Sequence, residues 1–351
     1  MSGGGYRVAV AGATGAVGSL MLEVLRRSSL PIRELVPFAT ERSEGRELPL
    51  ADAPVRVMRD DTIEGFDLAL FSAGGSTSRE WAPRFVAAGA VVVDNSSAWR
   101  MHEDVPLVVS EVNPDALDGH SGIVANPNCT TMVAMLPLKA LHDAFGLRSL
   151  VATSYQAAGG AGQKGIDELA AQVGPVGEDV DQLVRDGDAA RRKVRASVHA
   201  DTLAFNVVPM LGTLGDEGYT DEELKLQNES RKILDLPDLA VSPTCVRVPV
   251  MVGHAVACRA GFDRPVDVDE ALAALRAFPN LVVQDAPTPL EWAGRDEVAV
   301  GRVRRDLADP SALNLFVVGD NLLKGAALNT VQIAEQLHAR DLVRPRVEAA
   351  T

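Results

Sequence analysis

The chain has 351 residues, enough for two domains of ordinary size or one large one, with ample core. Apolar residues make up 46%, which excludes a disordered chain, and 34 basic against 48 acidic residues give a net charge of −14, which argues against nucleic acid as a partner. Its three cysteines, Cys129, Cys245 and Cys258, form neither a disulfide framework nor a CxxC metal pair and fit a reducing cytoplasm. The opening "MSGGGYRVAV" has no basic-then-apolar leader, and no run of about 18 apolar residues predicts a membrane span.

In chain order, "YRVAVAG" reads as a buried strand and "ATGAVGSLMLEVLRR" as the helix after it. "RELVPFA" is a second strand, and "FDLALFSAGG" and "GAVVVDNSS" are two more, separated by the helix-like "SREWAPRFVAA". Strands alternating with helices predict a parallel sheet covered on both faces, so residues 1–128 form a doubly wound α/β domain. Then "TTMVAMLPLKALHDAF" reads as an amphipathic helix and "LRSLVATSYQA" as a strand. A polar stretch follows, from about 159 to 202, with helix-like segments and the basic run "ARRKVRA", read as a solvated surface or a subunit contact. "TDEELKLQNESRKIL" is a helix, and "VSPTCVRVPV", "HAVACRAGF", "VAVGRVRRDL" and "ALNLFVVGD" are strands of a second, mixed-sheet α+β domain over 129–320. A last helix over 321–340 is expected to pack back onto the first domain, and "VRPRVEAAT" to fray.

"VAVAGATGAVG" places Gly12, Gly15 and Gly18 directly after the first strand, at the mouth of a helix. Such a turn lets backbone N–H groups face a pyrophosphate at the helix N-terminus, with Gly12, Thr14, Gly15, Ala16 and Val17 lining it. An NAD site usually carries an acid at the end of the second strand, but Glu34 opens that strand rather than closing it. The strand instead runs into "FATERSEG", where Thr40, Arg42 and Ser43 suit a ribose 2′-phosphate, so NADP is the expected cofactor. Ser72, Gly74 and Gly75 end a further strand where that cofactor is expected to lie, and Asn95 and Asn321 are candidates for its nicotinamide side.

In "ANPNCTTMVAML", Pro127 blocks a preceding helix and Asn128 is placed to cap the next, with Cys129 in its first turn. A helix N-terminus favours thiolate, yet buried structural cysteines are common, and the local pattern supports either reading. Cys245 and Cys258 lie in strand-like apolar patterns and read as core. Of six histidines, His338 and His142 lie on helices and read as surface, and His102, His120 and His199 lie in polar loops. His254, at a glycine-marked turn seven residues after Arg247, is either a structural imidazole or the thiol's acid/base partner.

Taken together, "GATGAVG", "FSAGG", "DNSSAWR", "NPNCTT", "SYQA", "FNVVP", "EELK", "ESRKIL", "RVPV…GH" and "GDNLLKGAALNT" fall in one order along nearly the whole chain. That order resembles the bacterial-type aspartate-semialdehyde dehydrogenase family. The resemblance implies an NADP-dependent, phosphorylating oxidoreductase that converts L-aspartyl 4-phosphate to L-aspartate 4-semialdehyde and phosphate through a cysteine thioester. It implies a place in the biosynthesis of lysine, diaminopimelate, threonine, methionine and isoleucine, and a homodimer or homotetramer. It makes Cys129 the nucleophile, His254 the acid/base and Gln156 the residue that orients the intermediate. It assigns Arg247 to the substrate carboxylate, Glu222 to its ammonium, and Arg100 and Lys225 to phosphate. Those residue types match the substrate's charges, although Glu222 and Lys225 alone would read as an exposed i, i+3 helix pair.

One departure stands out: the family's loop after S-Y-Q-A carries a serine where this chain has Gly159, a position expected to line the cofactor site. The hydroxyl is absent and the loop is expected to be freer. No metal ligand set is expected. The nearest alternative is N-acetyl-gamma-glutamyl-phosphate reductase, which shares the thioester chemistry but carries N-P-G-C-Y and takes an acylated amine. A Cys/His hydrolase and a non-catalytic binding module are the others.

Overall fold

The computed structural model describes residues 5–178 and 180–344 and divides into two compact units. One holds the described chain up to Asn128, Lys232–Leu234, and everything from Gly325 on; the other holds Cys129–Arg231 and Asp235–Lys324. The expected frayed end falls largely on residues 345–351, outside those described.

In chain order the first unit contains β1 (Tyr6–Ala11), α1 (Ala16–Arg27), β2 (Ile32–Phe38), β3 (Leu68–Phe71), α2 (Gly75–Ala87), β4 (Val91–Asp94) and β5 (Ile123–Ala125). All five strands are parallel, in the order β2-β1-β3-β4-β5. Their apolar runs are buried because helices cover both faces of the sheet. The crossover through α1 moves one way along the sheet and that through α2 the other, so right-handed connections put these helices on opposite faces. Phe85 of α2 meets Phe38, Phe66 and Phe71 in a cluster of edge-on and tilted rings. The reversal of strand order opens a crevice beyond the carboxyl ends of β1 and β3, where a doubly wound sheet binds its ligand. Strand β5, only three residues long, left too short a pattern to be read from sequence.

The second unit begins with α3 (Cys129–Phe145) and β6 (Leu147–Gln156), followed by α4 (Gln163–Gly177), α5 (Val180–Leu183) and α6 (Asp188–Lys193). Then come α7 (Asp221–Leu234), whose last turn is counted with the first unit, β7 (Ala240–Arg247), β8 (His254–Phe262), α8 (Val268–Ala277), β9 (Leu281–Val283), α9 (Pro289–Trp292), β10 (Val298–Arg305) and β11 (Ala312–Gly319). The sheet order is β7-β6-β8-β11-β10-β9, with parallel pairs at its two ends and antiparallel pairs between, a mixed sheet as expected.

Helix α3 differs from its reading as amphipathic: its side chains from Thr130 to Leu138 are all buried. It lies against β6, β8, β11 and α8, so almost no face is left to water. Strand β6 alternates, with Leu150, Ala152, Ser154 and Gln156 buried and Val151 and Tyr155 exposed on the opposite face. The "ARRKVR" run is a surface feature, with Arg191 paired to Asp188 and Asp201 and Arg192 to Asp186.

The closing segment passes through a π turn at Leu323–Ala327 into α10 (Leu328–Ala339). Within the first unit α10 packs on α1, β3 and β4.

Candidate active site

Strand pairing assembles the second unit's polar groups. Gln156 ends β6 directly opposite Arg247, which ends the parallel strand β7. Strand β8 runs antiparallel to β6, with Ala255 opposite Tyr155, so His254 starts β8 at the end of the sheet where β6 and β7 finish. Gly253, with φ of +99°, makes the turn that delivers it, and an added Cβ there would come 2.9 Å from the Pro289 carbonyl. Cys129 opens α3, and its Sγ lies 3.3 Å from His254 Nε2. The other cysteines are core residues, as read from sequence: burial pushes the thiols of Cys245 and Cys258 up to about 12.

The imidazole of His254 is fully buried and is held between two partners. Its Nε2 faces Cys129, and its Nδ1 accepts a hydrogen bond of 3.1 Å from the Ala157 N–H. Burial, and then the nearby Arg247 guanidinium, hold its pKa well below the ordinary histidine range. Arg247 is itself pulled down by burial, opposed by Cys129, Glu222 and Cys245, and its Nη1 donates to the Ala157 carbonyl at 2.6 Å. One residue thus anchors both side chains through its backbone.

Gln156 Nε2 lies 3.2 Å from Ser154 Oγ and 3.4 Å from Glu222 Oε1. Helix α7 is set in place by a capping box between Thr220 and Glu223, and Glu223 Oε1 also accepts from the Cys245 N–H at 3.0 Å. Glu222 and Lys225 are therefore not an exposed helix pair: the Glu222 side chain is only 13% exposed and accepts from Lys225 Nζ at 3.1 Å. Burial opposes the lysine's charge, but Glu222 and Asp221 outweigh it and hold its pKa above the ordinary value.

Two glycines close this site. At Gly160 a Cβ would come 2.6 Å from Arg247 Nη1 and 3.2 Å from His254 Cε1, so only glycine leaves both side chains in place. The sequence marked this need only as a glycine doublet. Gly159 is buried in a 3-10 turn, with its N–H on the Met251 carbonyl at 2.9 Å. A Cβ there would lie 3.6 Å from Asn321 Nδ2, a buried amide nitrogen without a hydrogen-bond partner among the described residues. Asn321 is oriented by the Gly253 N–H, which donates to its Oδ1 at 2.8 Å.

Gly159 and Asn321 apart, the dinucleotide candidates lie in the first unit. Gly12 has φ of +83°, and a Cβ there would collide with the Ser72 carbonyl; one on Gly18 would collide with the Gly12 carbonyl. This close backbone approach at the β1/β3 crevice, with Gly15 as N-cap of α1, fits a pyrophosphate cradle. Thr40, Arg42 and Ser43 follow β2 in a 3-10 turn, and no ion pair engages the exposed Arg42 among the described residues. Glu44 is paired with Arg59, and Glu34 with Arg7 at 2.5 Å. Ser72 and Gly74 lie between β3 and α2, and Gly75 opens α2.

Beyond β4, the carboxyl of Asp94 is buried and pushed up by that burial, although Ser96 Oγ donates to it at 2.6 Å. Asn95 Oδ1 accepts from Asn126 Nδ2 at 2.7 Å. Arg100 is buried, and its Nε and Nη2 donate to the carbonyls of Asn126 and Asn95, so two of its groups brace loops of the first unit. Of the remaining histidines, His120 and His199 lie in loops, as read, but are buried; His142 accepts from the Leu147 N–H at 3.0 Å, and His338 binds the Tyr6 hydroxyl at 2.8 Å. No group of His, Cys, Asp and Glu among the described residues is arranged to hold a metal ion, and no described helix is long and apolar enough to cross a membrane.

A doubly wound nucleotide unit, joined to a mixed-sheet unit that holds a cysteine, a histidine and substrate-sized charges, defines a class of oxidoreductase, the semialdehyde dehydrogenases. The description "Semialdehyde dehydrogenase, NAD binding domain" matches residues 7–120, and "Semialdehyde dehydrogenase, dimerisation domain" matches 138–324. Within that class the chain belongs to the aspartate-semialdehyde dehydrogenase family. The enzyme of that name from Streptomyces akiyoshiensis is 50% identical over 336 residues, 95% of this chain and 98% of its own. Aspartate semialdehyde dehydrogenase II from Vibrio cholerae, solved complexed with ASA, superposes with a TM-score of 0.88 at 41% identity, covering 97% of this chain and 99% of that one. The Candida albicans enzyme, solved with NADP, gives a TM-score of 0.73 at 25% identity, covering 96% of this chain and 99% of that one.

The buried imidazole makes stability depend on pH in a known direction. His254 stays neutral in the fold, while an unfolded histidine binds a proton near pH 6.5, so the unfolded state gains protons first as pH falls. Its contribution is complete above about pH 6.5 and declines below it, by at most about 1.4 kcal/mol per pH unit. Urea melts between pH 7.5 and 5 are expected to show this slope in the wild type and a shallower one in His254→Gln; equal slopes would refute the assignment.

Proposed function

We propose that this chain catalyses the NADP-dependent reductive dephosphorylation of L-aspartyl 4-phosphate to L-aspartate 4-semialdehyde, with Cys129 as nucleophile. The observation that carries the reading is the contact of 3.3 Å between Cys129 Sγ and His254 Nε2, at the sheet end that also holds Gln156 and Arg247. The Cys129 thiolate attacks the acyl phosphate, and phosphate leaves with the electron pair of the broken C–O bond. The nicotinamide, when bound, supplies the hydride that reduces the resulting thioester. His254 answers the charge that develops on the carbonyl oxygen, and Gln156 orients the bound acyl group. Arg247 offers a fork to the substrate carboxylate, Glu222 an acid to its ammonium, and Lys225 and Arg100 are the cations for phosphate. The acid at Glu222 favours a free amine over the acylated amine of the N-acetylglutamyl alternative.

Replacing Cys129 by Ala is expected to abolish phosphate-dependent NADP reduction by aspartate semialdehyde; turnover retained within tenfold would end the nucleophile assignment. Arg42, engaged by no ion pair among the described residues, and Glu34, engaged by Arg7, support NADP over NAD. A charge-assisted bond of about 1.5–3 kcal/mol predicts that Arg42→Ala raises KM for NADP by roughly 10- to 150-fold and leaves that for NAD nearly unmoved. Equal effects on the two cofactors would remove the arginine from the ribose end.

A homodimer, or a tetramer built from two, is supported by the open face of β6, where Val151 is 47% and Tyr155 37% exposed. The match to a dimerisation domain over 138–324 points the same way. Val151→Glu is expected to shift sedimentation toward the monomer, and an unchanged assembly would move the interface elsewhere. Three cysteines outside any disulfide suit a cytoplasmic enzyme of lysine, threonine, methionine and isoleucine biosynthesis.

A further inference from the structure

His254 can answer charge on a reacting oxygen only from the ring nitrogen that carries its proton. The surroundings of the ring decide this. A backbone N–H can only donate, so the 3.1 Å bond from Ala157 requires a lone pair on Nδ1. A neutral imidazole then carries its hydrogen on Nε2, the nitrogen that faces Cys129 Sγ at 3.3 Å. In that state Nε2 has no lone pair in the ring plane with which to take the thiol proton. Protonating Nδ1 instead would set its new N–H against the Ala157 N–H in a fully buried place.

We propose that the Ala157 amide is a positioning group that locks His254 as its Nε2–H tautomer, so that the imidazole serves as a hydrogen-bond donor to Cys129 and to the reacting oxygen rather than as the base that deprotonates the thiol. This rests on the reading of Cys129 as nucleophile given above. Among the described residues, the charged and titratable groups facing the ring are Cys129 from α3 and Arg247 from β7, with Glu222 of α7 and Cys245 of β7 acting on Arg247 in turn. Arg247 is the cation of this set, and the Ala157 carbonyl fixes it at 2.6 Å. The same residue thus sets the donor through its N–H and the cation through its C=O. The arrangement at Gly160, where any side chain would press on both Arg247 and His254, keeps the two in register.

The Cys129 S–H bond breaks with its proton passing to water, and the thiolate is held by the Nε2–H, by Arg247 and by the N-terminus of α3. The S–C bond forms as the C–O bond to phosphate breaks, and the leaving phosphate takes that electron pair and a proton from water. After reduction the oxyanion keeps its charge while the Nε2–H donates to it, and its electron pair then re-forms the carbonyl as the C–S bond breaks and the thiolate returns. No proton has to cross from sulfur to His254 at any point.

The direct test is ¹⁵N spectroscopy of the full-length, histidine-labelled protein without ligands, with His254→Gln identifying the resonance. A pyridine-like Nδ1 and a pyrrole-like Nε2, persisting from pH 8 to below pH 6, is the expected result. A pyrrole-like Nδ1, or an imidazolium at neutral pH, would overturn the proposal. A second variant replaces Ala157 by the corresponding α-hydroxy acid, which turns the amide into an ester and removes only the N–H. His254 is then expected to titrate at least about one pH unit higher, and the pH profile of Cys129 alkylation by iodoacetamide to move with it. An unmoved profile in the folded ester variant would show that the N–H is not the lock. The control Ala157→Gly keeps the N–H and is expected to keep the wild-type tautomer and pH midpoint; a shift matching the ester's would assign the effect to packing and overturn the proposal. Because these readouts use neither substrate nor cofactor, they are independent of the turnover assay on Cys129→Ala that tests the reaction itself.

Discussion

Strand β6 lies between a parallel neighbour, β7, and an antiparallel one, β8, and the candidate site depends on that arrangement. Parallel pairing brings the carboxyl ends of β6 and β7 together, which places Gln156 beside Arg247. Antiparallel pairing brings the first residue of β8 to the same end, which adds His254. Backbone hydrogen bonding therefore sets the spacing of three side chains far apart in sequence, and a slip of one residue would turn each to the opposite face. The first turn of α3 supplies the sulfur.

Local electrostatics run against the global balance. The chain carries −14, yet the second unit's site gathers Arg247 and Lys225 within reach of a few acids. Burial disfavours charge on both His254 and Arg247, and the two respond differently. The imidazole simply stays neutral, because its ordinary pKa is close enough to physiological pH for burial to decide it. The guanidinium keeps its charge, because its ordinary pKa is too high for burial to remove it. A neutral donor and a permanent cation are therefore what this environment offers a thiolate.

Much of this was legible in the sequence, unevenly. The parallel sheet could be read because its buried strands are continuous apolar runs, and the glycine turn because its glycines stand directly after the first of them. Strands β5 and β9, three residues each, left no period to read, and α8 was passed over between stronger patterns. The amphipathic reading of α3 failed because "TTMVAMLPLKALHDAF" carries few charges, and those lie toward its end, while its first turns are enclosed by a sheet and a second helix. Glu222 and Lys225 looked like an exposed pair because i, i+3 spacing is the same whether a helix faces water or a neighbouring amide.

By itself the sequence determined which residues could do chemistry: a cysteine after a helix-blocking proline, a histidine after a glycine, a glycine triplet after the first strand, and an order of motifs resembling one family. These are local properties, set by backbone conformation and side-chain type within a few residues. Only the tertiary structure decided that Cys129 and His254, 125 residues apart, meet at 3.3 Å, and that Ala157 holds both His254 and Arg247. Ala157 has no functional side chain, so its N–H and C=O acquire meaning only from the groups that folding brings against them.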